Sequence, residues 1–285
     1  MAMPTLHILG AGTPSPMPER WGTAFALEVG EDVVMIDCGP AATLKLVRAG
    51  FRPTDVEWLF FTHHHSDHTV DLPALLLTRW DHCTGGEPPL RIVGPPPTME
   101  MAEKLFGPEG AFADDIRARS EHPASHRCHT DRGGSLPRPE PEPEAYQAGP
   151  GLTVEAVEWT ATCAEVEHVD PWLTSLAWRF DWERGSVCFT GDTSSHAPVV
   201  ELAADVGTLV ANVPLRQERL HPDLATCIYG TLDAAQVARD AGVDRLVLVH
   251  LTQSLVNERD EALAEMAQVY DGEVILGEEL MPIDL

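Results

Sequence analysis

A chain of 285 residues, 44% of them hydrophobic, can bury a core as one large domain or two small ones. No apolar run approaches the roughly 18 residues a membrane helix needs. A formal net charge of −26, with Lys45 and Lys104 the only lysines and the arginines scattered singly, leaves no basic stripe to neutralise phosphates, so a large polyanion is not expected as a partner. The opening MAMPTLHILGAG lacks a basic region followed by a long apolar stretch, so no signal peptide and a cytoplasmic location are expected. The six cysteines are far apart, without a CxxC pair, as in a reduced chain whose thiols fill the core.

In chain order, TLHILGAG, TAFALEV and DVVMIDCG read as strands separated by Gly and Pro. VEWLFFT is a further strand, apolar nearly throughout and therefore covered on both faces. DLPALLLTRWDH is patterned as a helix with Pro73 in its first turn. PLRIVGP returns to a strand, and PTMEMAEKLFG is a short helix stopped by Gly107. Residues 109–150 are polar, proline-rich and weakly periodic. They read as an insertion or lid on a single domain spanning 1–285, with the PEPE tract extended and His122, His126 and His129 on the surface. Strand character resumes at LTVEAVEWTAT and recurs in SLAWRFDW, SVCFTGD, GTLVANVP, DRLVLVH and GEVILGEE. Helices are expected near 197–205, 231–241 and 257–270, so the chain is a layered α/β protein. LGAGTPSP lacks a GKS/T ending and does not precede a helix; it is a tight turn after the first strand, not a phosphate loop.

The stretch FFTHHHSDHTVDLPALLL has the form His-x-His-x-Asp-His. Residues two apart at a strand end project to the same side, so His63 and His65 converge while His64 points away. Asp67 and His68 follow where the chain turns into a helix. One short loop thereby offers two imidazoles to one ion, and a carboxylate and an imidazole to a second. Imidazole and carboxylate suit zinc, and also iron or manganese. Further ligands have to come from other strand ends, where His168, Asp192 and His250 stand.

The ordered set HHHSDH, His168, GDT and VHL resembles the metallo-β-lactamase fold, a four-layer αββα sandwich of hydrolases. Nearly the whole chain is similar to its ribonuclease Z-like branch through LGAGTPSPMPERWGTAF, MIDCGPAATLKLVRAG, LRIVGP and GEVILGEELMPI. The resemblance implies one ion held by His63, His65 and His168, another by Asp67, His68 and His250, with Asp192 bridging and Asp37 tying the first loops to the site. The tRNA-processing members carry a glutamate after the strand that follows GDT and a histidine before the next helix. Here those places hold Asn212 and Gly230, and no basic counterpart of the family's tRNA-gripping arm is visible.

The resulting expectation is a dinuclear hydrolase. Two divalent ions about 3.5 Å apart, zinc foremost, share a water and bring its pKa near neutrality. The hydroxide attacks a small-molecule ester, lactone or related bond, and Asp67 orients it and shuttles its proton. His196 and His221 are the candidate donors to a leaving group, and Trp80, Trp172 and Trp178 are expected in the core or pocket wall. The expected partner is thus a small molecule rather than nucleic acid or membrane, and a homodimer is compatible with this reading. The alternatives are a tRNA 3′-processing endonuclease or phosphodiesterase, and a non-hydrolytic iron protein acting on oxygen or a redox partner.

Overall fold

The computed structural model describes residues 3–285. The first half lays down β1 (Thr5–Gly10), β2 (Ala24–Val29), β3 (Asp32–Cys38), α1 (Ala42–Arg48), β4 (Val56–Phe60), α2 (Ser66–Thr69), α3 (Leu72–His82), β5 (Arg91–Gly94), α4 (Thr98–Phe106), α5 (Ala113–Glu121), α6 (Pro123–Asp131) and β6 (Glu144–Gln147). The second half continues with β7 (Thr153–Glu155), β8 (Trp159–Val166), β9 (Ser175–Trp182), β10 (Gly185–Phe189), α7 (Ala197–Leu202), β11 (Thr208–Asn212), α8 (Thr231–Ala241), β12 (Arg245–Val249), α9 (Gln253–Asn257), α10 (Arg259–Met266), β13 (Glu273–Leu276) and β14 (Met281–Asp284).

The strands form two seven-stranded sheets, ordered β14-β1-β2-β3-β4-β5-β6 and β13-β12-β11-β10-β9-β8-β7. Each sheet is antiparallel on one side and parallel on the other, with the change at β3/β4 in the first and at β10/β11 in the second. Parallel neighbours require crossovers, and α1, α3, α7, α8 and α10 provide them on the outer faces. The period of two along each strand shows the layering. Val34 and Ile36 of β3 face the core between the sheets, and Val33 and Met35 face the outer core of the first sheet. Val247 and Val249 of β12 join the inter-sheet core while Leu246 and Leu248 pack under the helices of the second sheet. Both faces of both sheets are covered, which is the expected αββα sandwich.

Helix α3 shows why its sequence folds as it does. Leu72, Leu75, Leu76, Arg79 and Trp80 form its buried stripe at helical spacing, and Pro73 sits in the first turn where no backbone donor is needed. The 109–150 segment is more ordered than its composition indicates. It contains α5 and α6, and β6 extends the first sheet in parallel with β5. Arg138 holds it to α3: its guanidinium stacks on Trp80 at 4.0 Å and donates to Asp81 Oδ1 at 3.0 Å. His129 is buried, not on the surface, with Nε2 3.2 Å from the Ser135 carbonyl oxygen.

Four other elements differ from the sequence reading. Helix α1 was not anticipated, and LTVEAVEWTAT is a hairpin of β7 and β8 rather than one strand. The expected helix at 257–270 is the shorter α10, and a separate α9 precedes it. Strand β14 contains Pro282 and is tolerated because it lies at a sheet edge, paired only with β1.

Phe60 is central to the contact between sheets, with ring centroids 4.9 Å from Trp178, 5.1 Å from Phe180 and 6.0 Å from Trp159. Phe60→Ala is expected to cost about 3–5 kcal/mol in chemical denaturation, the range for removing a fully buried aromatic ring.

Candidate metal centre

The parallel strands of both sheets end at the same edge of the sandwich. Strand β4 runs into His63, β10 into Asp192, β11 ends at Asn212 and β12 runs into His250. His168 joins them from the connection between β8 and β9. Two groups of ligand atoms result: His63, His65, His168 and Asp192 in one, Asp67, His68 and His250 in the other, each with its atoms within 4.8 Å of one another. Asp192 touches both, with Oδ2 4.0 Å from His63 Nε2, 3.8 Å from His168 Nε2 and 3.4 Å from His250 Nε2, and Oδ1 3.8 Å from His68 Nε2. Asp67 Oδ2 is 3.3 Å from His250 Nε2 and 3.5 Å from His68 Nε2. All seven residues singled out in the sequence thus converge.

The hydrogen bonds behind the rings fix which nitrogens carry lone pairs. Asp37 accepts from the Thr62 amide at 2.8 Å and from the Thr62 hydroxyl at 2.9 Å. That hydroxyl has spent its proton, so His63 Nδ1–H must donate to it, at 3.1 Å, leaving Nε2 unprotonated. Asp37 also accepts from His68 Nδ1 at 2.7 Å. His168 Nδ1 donates to the Cys227 carbonyl at 2.7 Å, which leaves its Nε2 bare as well. His65 Nδ1 then faces His63 Nε2 at 3.0 Å and His168 Nε2 at 3.2 Å, and one proton cannot satisfy both. Nitrogens bound at 2.0–2.1 Å to one tetrahedral zinc lie roughly 3.3 Å apart, so this spacing is that of a metal cage. In the second group His68 Nε2 is buried without a hydrogen-bond partner, and His250 Nε2 points at both carboxylates. The residues present therefore fit metal ions.

The electrostatics agree. Burial, reinforced by His68 and the other nearby imidazoles, pushes His63 well below the ordinary histidine range, keeping it a neutral donor. Burial alone would raise the Asp192 carboxyl, but His250, His68, His63 and His168 more than offset it and hold it well below the usual range. For His68, burial opposes charge but Asp37 and Asp192 overcome it, lifting the ring to about 9 without metal. A bound ion replaces that proton.

Asp37 (φ 57°) and His250 (φ 59°) are two of the five described non-glycine residues in the left-handed conformation that side-chain-bearing residues avoid. Gly191, in the turn before Asp192, also has positive φ (60°), and a Cβ there would lie 2.9 Å from Thr62 Cβ. Only glycine lets that turn approach the histidine loop.

Three side chains lie off the site. His64 turns away and sets Nε2 3.0 Å from Thr98 Oγ1. His196 pairs with Asp240 at 3.2 Å, and the exposed His221 stands 3.5 Å from Asp223; neither belongs to either ligand group. Two contacts had no sequence signal. Asn212 Nδ2 donates to Asp192 Oδ1 at 2.6 Å, which holds the carboxylate with Oδ2 toward His63, His168 and His250. Gly230 opens α8, where Gln217 Oε1 accepts from the amides of Leu232 and Asp233 and occupies the space a side chain at 230 would need.

A double-sheet hydrolase fold with two histidine–aspartate groups at its strand ends is the class defined by this geometry, and comparison with known proteins agrees. A profile of the Metallo-beta-lactamase superfamily matches residues 20–250. The chain belongs to that superfamily, in its ribonuclease Z-like branch, and is a metal-dependent hydrolase. It is 31% identical to the Ribonuclease Z of Mycobacterium avium (strain 104) over 96% of this chain and 95% of that protein. It is 30% identical to the Ribonuclease Z of Mycobacterium sp. (strain KMS) over 98% and 95%. In fold it is similar to the metallo-beta-lactamase fold protein YhfI from Bacillus subtilis, with TM-score 0.78, 18% identity and 99% of each chain covered. Human tRNase Z, short form (ELAC1), gives TM-score 0.69 and 18% identity over 98% of each chain.

These relatives overturn two expectations: a small-molecule ester or lactone as substrate, and the exclusion of nucleic acid as partner. The error came from reading the charge of the whole chain as if it were the charge of the site. The ligand groups are mostly neutral imidazoles, so a divalent cation held there would make the strand ends less negative than the molecule as a whole. Among the described residues no helix is long and apolar enough to cross a membrane.

Asp37→Ala, which removes the partner of His68 and of the Thr62 hydroxyl that orients His63, is expected to weaken zinc binding by about 10–100-fold in a chelator-competition titration. His64→Ala should leave metal content unchanged; losing an equivalent there would place His64 among the ligands.

Proposed function

We propose that this protein is a ribonuclease Z-type phosphodiesterase that processes the 3′ side of tRNA precursors. The observation that carries this reading is similarity to proteins named Ribonuclease Z across nearly the full length of both partners, combined with a ligand set shared across one carboxylate. His63, His65 and His168 would hold one ion, Asp67, His68 and His250 the other, with Asp192 bridging; zinc is the first choice, with iron or manganese as substitutes. The chain would work in the cytoplasm as one domain over 1–285, with 109–150 as an insertion on its helical flank.

Divalent ions, when bound, would supply an activated water and offset charge on the phosphodiester. Asp67, whose Oδ2 stands among the ligand nitrogens, would orient that water and accept its proton. Asp37 keeps the His63 and His68 lone pairs directed inward through the hydrogen bonds at their Nδ1 atoms. Asn212 holds the bridging carboxylate in one orientation. Gly230 has no side chain to donate a proton, and Gln217 fills the space beside it, so no residue at 230 protonates the leaving group.

Cleavage of a precursor tRNA by the zinc-loaded protein is the direct test. His65→Ala and Asp192→Ala should both lose metal and reduce cleavage at least 100-fold. Full turnover by metal-free His65→Ala would refute the proposal. The pH dependence follows from His68. Its pKa of about 9 without metal lies above its ordinary value of 6.5, so at neutral pH loading must displace a proton. Apparent zinc affinity should rise with pH up to about 9 and fall in acid, and loading in weakly buffered solution should release protons.

A further inference from the structure

Trp172 is 81% exposed, whereas Trp80 and Trp178, grouped with it in the sequence as core or pocket wall, are buried. A single exposed apolar side chain needs no explanation by itself; what distinguishes this indole is where its loop is anchored. Both feet of this loop stand on the metal centre. At its start, Glu167 accepts at its carbonyl from the Thr193 hydroxyl at 2.9 Å and from the Ser194 amide at 3.0 Å, next to Asp192, and His168 follows directly. At its end the Leu176 amide donates to the Thr62 carbonyl at 2.8 Å, beside His63. Between them the Trp172 amide donates to the Val169 carbonyl at 3.1 Å, making a turn that presents the ring outward. Four residues of chain limit the Trp172 backbone to about 14 Å from that of His168. On the adjoining segment, whose Cys227 carbonyl accepts from His168, Leu224 is 41% exposed.

We infer that Trp172 is a stacking platform for a nucleobase of single-stranded RNA crossing the metal centre. An indole face binds any base, without sequence preference and without cationic charge. Such a contact adds to whatever the charge of the site contributes and does not depend on it. The inference rests on the ribonuclease reading but has its own test.

The full-length zinc-loaded protein, Trp172→Ala and Trp172→Phe are titrated against a labelled short oligouridylate and an abasic oligomer of the same length, followed by fluorescence polarisation. Metal content and melting temperature serve as controls. Trp172→Ala should weaken oligouridylate binding about ten-fold or more, Trp172→Phe should recover most of it, and abasic binding should not change. Equal binding by wild type and Trp172→Ala, equal loss on both oligomers, or no binding by wild type would overturn the inference. Precursor tRNA cleavage is read separately. Trp172-dependent binding without cleavage removes the ribonuclease reading and leaves the platform. Cleavage with the same KM in Trp172→Ala removes the platform and leaves the ribonuclease.

Discussion

Asp192 has one oxygen within 4.0 Å of three imidazoles and the other beside a fourth, in a space from which nearly all water is excluded. Lone pairs crowded in this way repel unless a positive charge lies among them. Much of the surrounding structure serves to maintain that crowding: the Asp37 network, the Cys227 carbonyl, the Asn212 amide and the strained backbone at Asp37 and His250. Such strain is tolerated where the fold over-determines it. Here the packing of two sheets through Phe60, Trp159, Trp178 and Phe180 does so.

The placement of the centre follows from sheet topology. A parallel strand delivers its carboxyl end to the same edge as its parallel neighbours, and helical crossovers carry the chain back. With two such sheets face to face, the chain leaving β4 of one and β10 and β12 of the other brings its ligands to one place. The ligands can therefore be far apart in sequence and still converge within a few ångströms. The 109–150 segment lies outside this arrangement, fastened to α3 through Arg138 and Trp80.

Departures from the family pattern also have a physical form. Asn212 does not leave a gap; it becomes a neutral donor to the bridging carboxylate, and Gln217 caps α8 in the space above Gly230. Neither position excludes nucleic acid, because both side-chain places are filled by contacts that hold the site together.

By itself the sequence determined what is short-range and periodic. The spacing of His63, His65, Asp67 and His68 after an apolar strand specifies a metal loop and turns His64 away. Alternation of strand and helix specifies the layered fold, and the 72–80 stripe specifies α3. Tertiary structure alone decided what depends on contacts across the chain. Which carbonyl fixes the His168 tautomer, that Asn212 reaches Asp192, that β14 closes the first sheet, and that Trp172 stands in solvent while Trp178 is buried all depend on partners tens to hundreds of residues away. Local propensity carries no information about such partners, because they are selected by the packing of the sheets and not by the residues beside them.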